Sequence, residues 1–349
     1  VSFPFPRTPI PFLQTFLFGG MTIQEHYGFR FGVPFQRTRL YTQFDIDGEN
    51  FMMRAILAAL VAFLFFVAPA VARADSLQER IETLLATKKA TVGVAIRGIE
   101  DGYSLSVNGN ARYPMQSVFK FHIALAALHQ VDTGKLRLEQ KVPVAKADLQ
   151  PRTWSPIRDK YPKGTDSLTL ADVLRYTVAD SDNNGCDILL RLIGGPEAVN
   201  RYMHELGARD FSIRFNEDEM HQKWKRQFDN WTTPNAAAAL LVSFGKREFL
   251  EQGSFDFLQR VMLETSTGAG RIRGRLPAET PVAHKTGTSG VRKGVTAAVN
   301  DIGIVTLPDG RRLAIAVFVS NSREDVAANE AIIADIAKLA WEHFVGEVK

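Results

Sequence analysis

The clearest pattern along the chain is a change in hydrophobic period. Residues 91–109, TVGVAIRGIEDGYSLSVNG, carry apolar stretches on either side of the turn residues Glu100, Asp101 and Gly102, which predicts two strands joined by a short turn. The same layout returns near the other end, where residues 295–307 (VTAAVNDIGIVTL) and 311–321 (RRLAIAVFVSN) flank Pro308-Asp309-Gly310. Between these regions the period becomes 3.6. VFKFHIALAALHQVDTGK, LTLADVLRYTVADSDN and NAAAALLVSFGKREFL read as helices, with Gly134 placed to stop the first. Ser76 to Lys89 (SLQERIETLLATKK) opens on an N-capping Ser and ends on basic residues, as a surface helix does, and a last helix is expected from about Val326 to Phe344. Strands and helices at both ends, with a helix-rich middle, predict an α/β (α+β) architecture whose antiparallel sheet is built from chain ends that meet.

Ahead of these elements lies a segment of another kind. From Met53 the chain reads MRAILAALVAFLFFVAPAVARADS: a basic start, an apolar run, then Ala72 and Ala74 around Arg73. This is the layout of a secretory signal peptide, residues 53–74, cleaved after Ala74. An uncleaved membrane anchor is the competing reading of so long an apolar run, and no Cys stands near the exit to carry a lipid. Residues 1–52 precede the signal and are expected to be an upstream extension outside the mature protein, which would run over 75–349.

Composition narrows the class. Of 42 Lys and Arg and 38 acidic residues, six Arg and four acids fall in the first 74 positions, leaving a mature net charge of +2. That balance, with no basic run interleaved by aromatics, argues against a nucleic-acid partner. The lone Cys186 cannot form an intramolecular disulfide, although export implies an oxidising compartment. The histidines show no metal-ligand spacing, so neither a metal nor a cofactor is implied.

Three short motifs carry candidate chemistry. In MQSVFKFH, Ser117 and Lys120 stand three apart, so on a helix the hydroxyl and amine share a face. A neutral Lys could take the Ser proton and make a nucleophile, while N–H groups at the helix start could stabilise an oxyanion. Alone, the pair is common and reads as an N-cap Ser and a solvated Lys. Ser181-Asp182-Asn183 follows a predicted helix, and Lys285-Thr286-Gly287 lies in PVAHKTGTSG on a predicted strand. Each alone is ordinary turn or strand chemistry.

Together, in this order and behind a signal peptide, the three motifs resemble those of the serine penicillin-recognising enzymes, and more narrowly the class A β-lactamases. The resemblance covers essentially the whole mature chain. It implies a five-stranded antiparallel sheet flanked by helices (75–112 and 265–349) and an all-helical subdomain (113–264). It also implies a nucleophilic Ser117, with Lys120 as its proton partner, Ser181 as proton relay and Asn183 positioning the substrate side-chain amide. Lys285, Thr286, Gly287 and Thr288 would form the strand that receives the β-lactam carboxylate, with the N–H groups of Ser117 and Thr288 as oxyanion-hole donors. Arg271, in STGAGRIRG, would hold that carboxylate in a bidentate fork, Thr267 lying nearby, and Ser289 would tune the same edge. Trp154 stands where the family has an aromatic wall, a half-buried core Trp being the other reading. Cys186 reads as a small core residue.

A hydrolase also needs water at the acyl-enzyme. In Asn216-Glu217-Asp218-Glu219-Met220-His221 the match to the family's Ω-loop general base is Glu217, with Asp218 and Glu219 as solvent-facing acids. His221 replaces the family's Asn, and an imidazole could keep its water-holding role. Phe215 and Asn230 occupy the places of an Arg–Asp ion pair, and Asp187 stands where an Asn is usual. These exchanges resemble the extended-spectrum PER- and VEB-like branch and point to cephalosporins. The implied protein is a periplasmic, monomeric β-lactamase conferring antibiotic resistance, with small-molecule β-lactam substrates and no lasting membrane association. Two rivals share the motifs: a D-alanyl-D-alanine carboxypeptidase or transpeptidase, and a non-catalytic β-lactam sensor.

Overall fold

The computed structural model describes residues 76–346, so the expected extension at 1–52 and signal at 53–74 lie outside the described residues. The two predicted hairpins form the centre of one sheet. Strands β1 (Thr91–Gly98) and β2 (Ser104–Val107) pair antiparallel. Strand β3 (Val282–Thr288) carries the K-T-G motif, the two-residue β4 (Val291–Arg292) follows it, and β5 (Val295–Thr306) and β6 (Arg312–Ser322) complete the set. Their order is β2-β1-β6-β5-β3, so the first strands of the chain pair with the last, as expected. The expected five strands are joined by β4, which pairs with the start of β5 beyond the end of β3.

The near-continuous apolar runs of β5 and β6 follow from burial on both faces. Along β6, Leu313, Ile315, Val317 and Val319 enter one core with helix α1 (Leu77–Ala86) and helix α9 (Val326–Gly346). The alternating Ala314, Ala316 and Phe318 enter a second core on the opposite face, with the helical region. Helix α1 begins with the predicted Ser76 cap, but it stops at Ala86, leaving the basic Lys88 and Lys89 beyond its end.

Helix α2 (Phe119–Asp132) runs through this second core, buried without interruption from Phe119 to Leu128. A helix apolar on all sides belongs inside a domain. Lys120 and His122 are therefore buried with it, although their residue types would suit a surface. Gly134, at φ 73°, supplies the left-handed residue that ends the helix. Around α2 pack α3 (Leu170–Val178), α4 (Asn183–Ile193) and α5 (Gly195–Glu205). Helix α6 (Glu217–Gln222) stands on the loop after them, followed by α7 (Pro234–Gly245) against β1 and β6, and α8 (Gln252–Leu263) against β3.

Candidate active site

The three motifs meet where α2, the turn before α4 and strand β3 come together. Ser117 sits in a 3₁₀ turn, Gln116–Val118, that leads into α2. The preceding Gln116 has φ 48°, a left-handed conformation that costs a non-glycine residue about 1–3 kcal/mol unless its surroundings fix it. They do so here. The buried Asn300 amide donates to the carbonyls of Pro114 at 2.8 Å and Met115 at 3.1 Å, and Gln116 Nε2 donates to Gln227 Oε1 at 2.7 Å. Gly287 of β3 approaches so closely that a Cβ there would lie 2.4 Å from the Met115 carbonyl. The Gly of K-T-G is thus a requirement of contact with the turn that holds Ser117.

Lys120 is fully buried, with Nζ 3.0 Å from Ser117 Oγ, 2.8 Å from the Ser181 carbonyl, 2.5 Å from Asn183 Oδ1 and 2.9 Å from Glu217 Oε1. Four oxygens surround a group that as an ammonium has only three hydrogens to give. At least one of these contacts is therefore shared or made without a hydrogen of its own. Glu217 Oε1 is also 3.4 Å from Ser117 Oγ, so hydroxyl, amine and carboxylate form one buried triangle.

Ser181 adopts φ 58°, which turns its carbonyl towards Lys120 and its hydroxyl towards β3, where Lys285 Nζ donates to Oγ at 2.9 Å. Burial, reinforced by the nearby Lys120 cation, holds the Lys285 amine well below the usual lysine range, with Asp301 pulling the other way. Asp182 caps α4 through Gly185 N–H at 2.8 Å and also accepts from Ile157 N–H and Ser155 Oγ. That caps the S-D-N turn from inside. Asn183 accepts from Lys120 Nζ with its Oδ1 and donates from Nδ2 to Thr153 Oγ1 at 2.6 Å.

The loop carrying Glu217 is held through its backbone. The Asp187 carboxylate accepts Glu217 N–H at 2.7 Å and Asp218 N–H at 3.0 Å. Burial, and then the neighbouring Glu217 charge, raise its pKa to about 7, while the two N–H bonds act to lower it. Asn230, where the family resemblance placed a missing ion pair, accepts Arg214 and Phe215 N–H with its carbonyl and donates to the Phe215 carbonyl at 2.8 Å. An amide does with three hydrogen bonds what the ion pair would have done with charge. Asp218 is exposed, but Glu219 is not simply a solvent-facing acid: it closes a capping box with Asn216 at the start of α6. His221 Nδ1 lies 2.6 Å from the Glu217 carbonyl and 3.7 Å from its Oε2, with the ring half exposed above the acid.

A cleft of about 720 Å³ opens over Ser117, bounded by Ser181, Asn183, Thr286 and Thr288. Thr286 and Thr267 share a 2.6 Å hydroxyl contact on its wall. Ser289 N–H donates to the Ala298 carbonyl across β5, so the alternation of an antiparallel ladder turns Thr288 N–H outwards to the free edge. Arg271 corrects one expectation. Its guanidinium is 5 % exposed and already engaged with Gly287 and Asn300 carbonyls, Glu330 and, at 2.7 Å, Thr288 Oγ1, so it offers no open fork. It orients the Thr288 hydroxyl instead. Trp154 is 58 % exposed on the cleft rim, its indole N–H held by the Asp180 carbonyl, which excludes the core reading. A second cavity of about 330 Å³ lies behind Glu217, between His221 and residues 150–153.

Sequence reasoning did not find Thr153, Asn300 or Gln227. Asn300 stands on β5 between Ala298 and Ile302 of its own face, a polar position in a buried strand that was the available signal. Thr153 sits in a loop and Gln227 in the short 3₁₀ turn Trp224–Phe228, where no period marks them. Cys186 is buried and its thiol is pushed well above the usual range by that burial. Among the described residues, no group of three His, Cys, Asp or Glu could hold a metal ion, and no helix is long and apolar enough to cross a membrane.

A hydroxyl, an amine and a carboxylate are thus enclosed between a helical region and the edge of an antiparallel sheet. Residues 76–344 match the model of the beta-lactamase enzyme family. The chain is 44% identical to Beta-lactamase VEB-1 of Pseudomonas aeruginosa, over 85% of this chain and 99% of that protein. It is also 44% identical to Extended-spectrum beta-lactamase PER-1 of the same organism, over 84% and 96%. Among solved structures, the TLA-3 extended-spectrum beta-lactamase superposes with a TM-score of 0.77 at 51% identity, covering 78% of this chain and 99% of that one. A beta-lactamase from Chitinophaga pinensis gives 0.76 at 49%, covering 77% and 100%. The chain belongs to the beta-lactamase enzyme family and is a class A β-lactamase, a hydrolase of the β-lactam amide bond.

Proposed function

We propose that this β-lactamase is exported to the periplasm by residues 53–74, acts as the mature domain 75–349, and works through an acyl-enzyme on Ser117. The observation that carries the mechanism is the buried triangle of Ser117, Lys120 and Glu217. Ser117 Oγ attacks the lactam carbonyl as its proton passes to Lys120 or, through water, to Glu217. The N–H groups of Ser117 and Thr288 receive the oxyanion. The C–N bond then breaks, and Ser181, in contact with Lys120 on one side and Lys285 on the other, delivers a proton to the departing nitrogen. Glu217 next removes a proton from a water molecule that attacks the ester, and Ser117 recovers its hydrogen as it leaves. Lys285, Thr286 and the Arg271-held Thr288 receive the substrate carboxylate, while Asn183, His221 and Trp154 border its side chain.

Cephalosporins, including those with bulky side chains, are the proposed substrates. The second cavity beside Glu217 gives such side chains room, and two of the similar proteins bear extended-spectrum in their names. The test is mass spectrometry of purified 75–349 mixed with a chromogenic cephalosporin. Rapid colour change with a transient adduct on Ser117 supports the reading. A stable Ser117 adduct without turnover would leave a sensor, and turnover only of D-alanyl-D-alanine peptides would leave a carboxypeptidase. Export is tested separately: the periplasmic protein should begin at Asp75.

A further inference from the structure

On the face of β1 that meets the helical region Ala95 is buried in the apolar core, as is Ile99 just past the strand's end, and between them on the same side stands the half-buried Arg97. An arginine in that register is out of place. Its Nε has neither solvent contact nor a hydrogen-bond partner, and no salt bridge to it is formed among the described residues. The side chain projects into a cavity of about 360 Å³ between β1, helix α7 and the segment that follows α5. One wall is apolar, made by Leu206, Leu240 and Phe249, and the rim carries Arg209, Asp210 and Asn235. Two guanidinium groups against one carboxylate leave the cavity net positive. Its position, under α7, is separate from the cleft over Ser117, and the two share no lining residue.

We propose that this cavity is a second binding site, for a small organic anion with an apolar body, such as an aryl or alkyl carboxylate. The anionic head would pair with Arg97, supplying the partner its Nε lacks, and with Arg209 at the rim. The body would lie against Leu206, Leu240 and Phe249. Apolar lining with a few convergent polar groups is the usual make-up of a small-molecule site. The cavity also adjoins one end of the loop bearing Glu217: the Asp210 carbonyl, beside Arg209, accepts from Thr233 N–H and Thr232 Oγ1 where that loop rejoins α7.

The test is NMR titration of the isotopically labelled protein with 4-phenylbutanoate and, separately, with inorganic phosphate. The buried Arg97 Nε–H gives its own resonance. With 4-phenylbutanoate that signal and the amides of Arg209, Ala236 and Ala239 should shift saturably, whereas phosphate should produce less than a tenth of the affinity there. Arg97→Leu should abolish the shifts at Arg209, Ala236 and Ala239 while cephalosporin turnover stays within twofold of the parent. Should Arg97→Leu fail to fold, Arg209→Ala on the exposed rim should weaken binding at least threefold. Shifts confined to the Ser117 cleft, shifts unchanged in both variants, or equal affinity for phosphate would overturn the proposal.

Discussion

The Asp187 carboxylate grips the backbone N–H of Glu217 at 2.7 Å, so the acid beside Ser117 is placed by a second acid one helix away. The two carboxylates repel, and burial adds to the cost of charging Asp187; the two backbone N–H bonds offset part of it. Position is gained at the expense of an easily charged group.

That expense has a sign in pH. The folded protein holds the Asp187 proton up to about pH 7, against a reference value of 3.8. Between roughly those limits the native state binds more protons than the unfolded chain, so this residue makes stability fall as pH rises through the window. The destabilisation is absent below about pH 4 and complete above about pH 7. Urea midpoints of the parent minus those of Asp187→Asn should decline across pH 4–7, and a flat or rising difference would show that Asp187 titrates normally.

Glu217→Ala should stall the reaction after its first half. General-base loss costs about 10²–10⁴ in rate, so a cephalosporin should leave a mass adduct on Ser117 that persists for minutes or longer. Unchanged turnover would mean that another group activates water.

For Gly287→Ala the expected injury is geometric. A Cβ 2.4 Å from the Met115 carbonyl must push β3 away from the nucleophile turn. Overpacking of this kind costs about 1–3 kcal/mol, and displacement near 1 Å costs about a hundredfold in rate. Thermal denaturation and steady-state kinetics should therefore both change; an undisturbed kcat/KM would show that the strand can yield.

Arg271→Lys removes the fork that spans two sheet carbonyls and the Thr288 hydroxyl. A Lys can still reach the sheet carbonyls but not the Thr288 hydroxyl as well, and loss of that one hydrogen bond, about 1–1.5 kcal/mol, places the fall in kcat/KM near tenfold, with KM rising more than kcat falls. If Arg271 instead met the substrate carboxylate directly, the loss would exceed a hundredfold.

The hairpins were legible because Glu100-Asp101-Gly102 and Pro308-Asp309-Gly310 punctuate apolar strands, and Ser117, Ser181 and Lys285 because short motifs mark them. What escaped was of two kinds. Arg271 and Glu219 have residue types that fit an exposed role, and only the tertiary structure shows that one is walled in by carbonyls and the other closes a cap. The support of the Ser117 turn by Asn300 joins residues 185 and 186 positions apart, through contacts that leave no local period. Trp154 was undecided for the opposite reason, since an aromatic residue in a loop is equally at home inside or out.

The amide of Asn230 has a consequence for the medium in which the enzyme works. An ion pair at that place, where Asn230 has no exposure, would be lost once acid protonated its carboxylate. Neutral hydrogen bonds to Arg214 and Phe215 have no such dependence. Acidic and neutral media would leave this end of the Glu217 loop equally well tied.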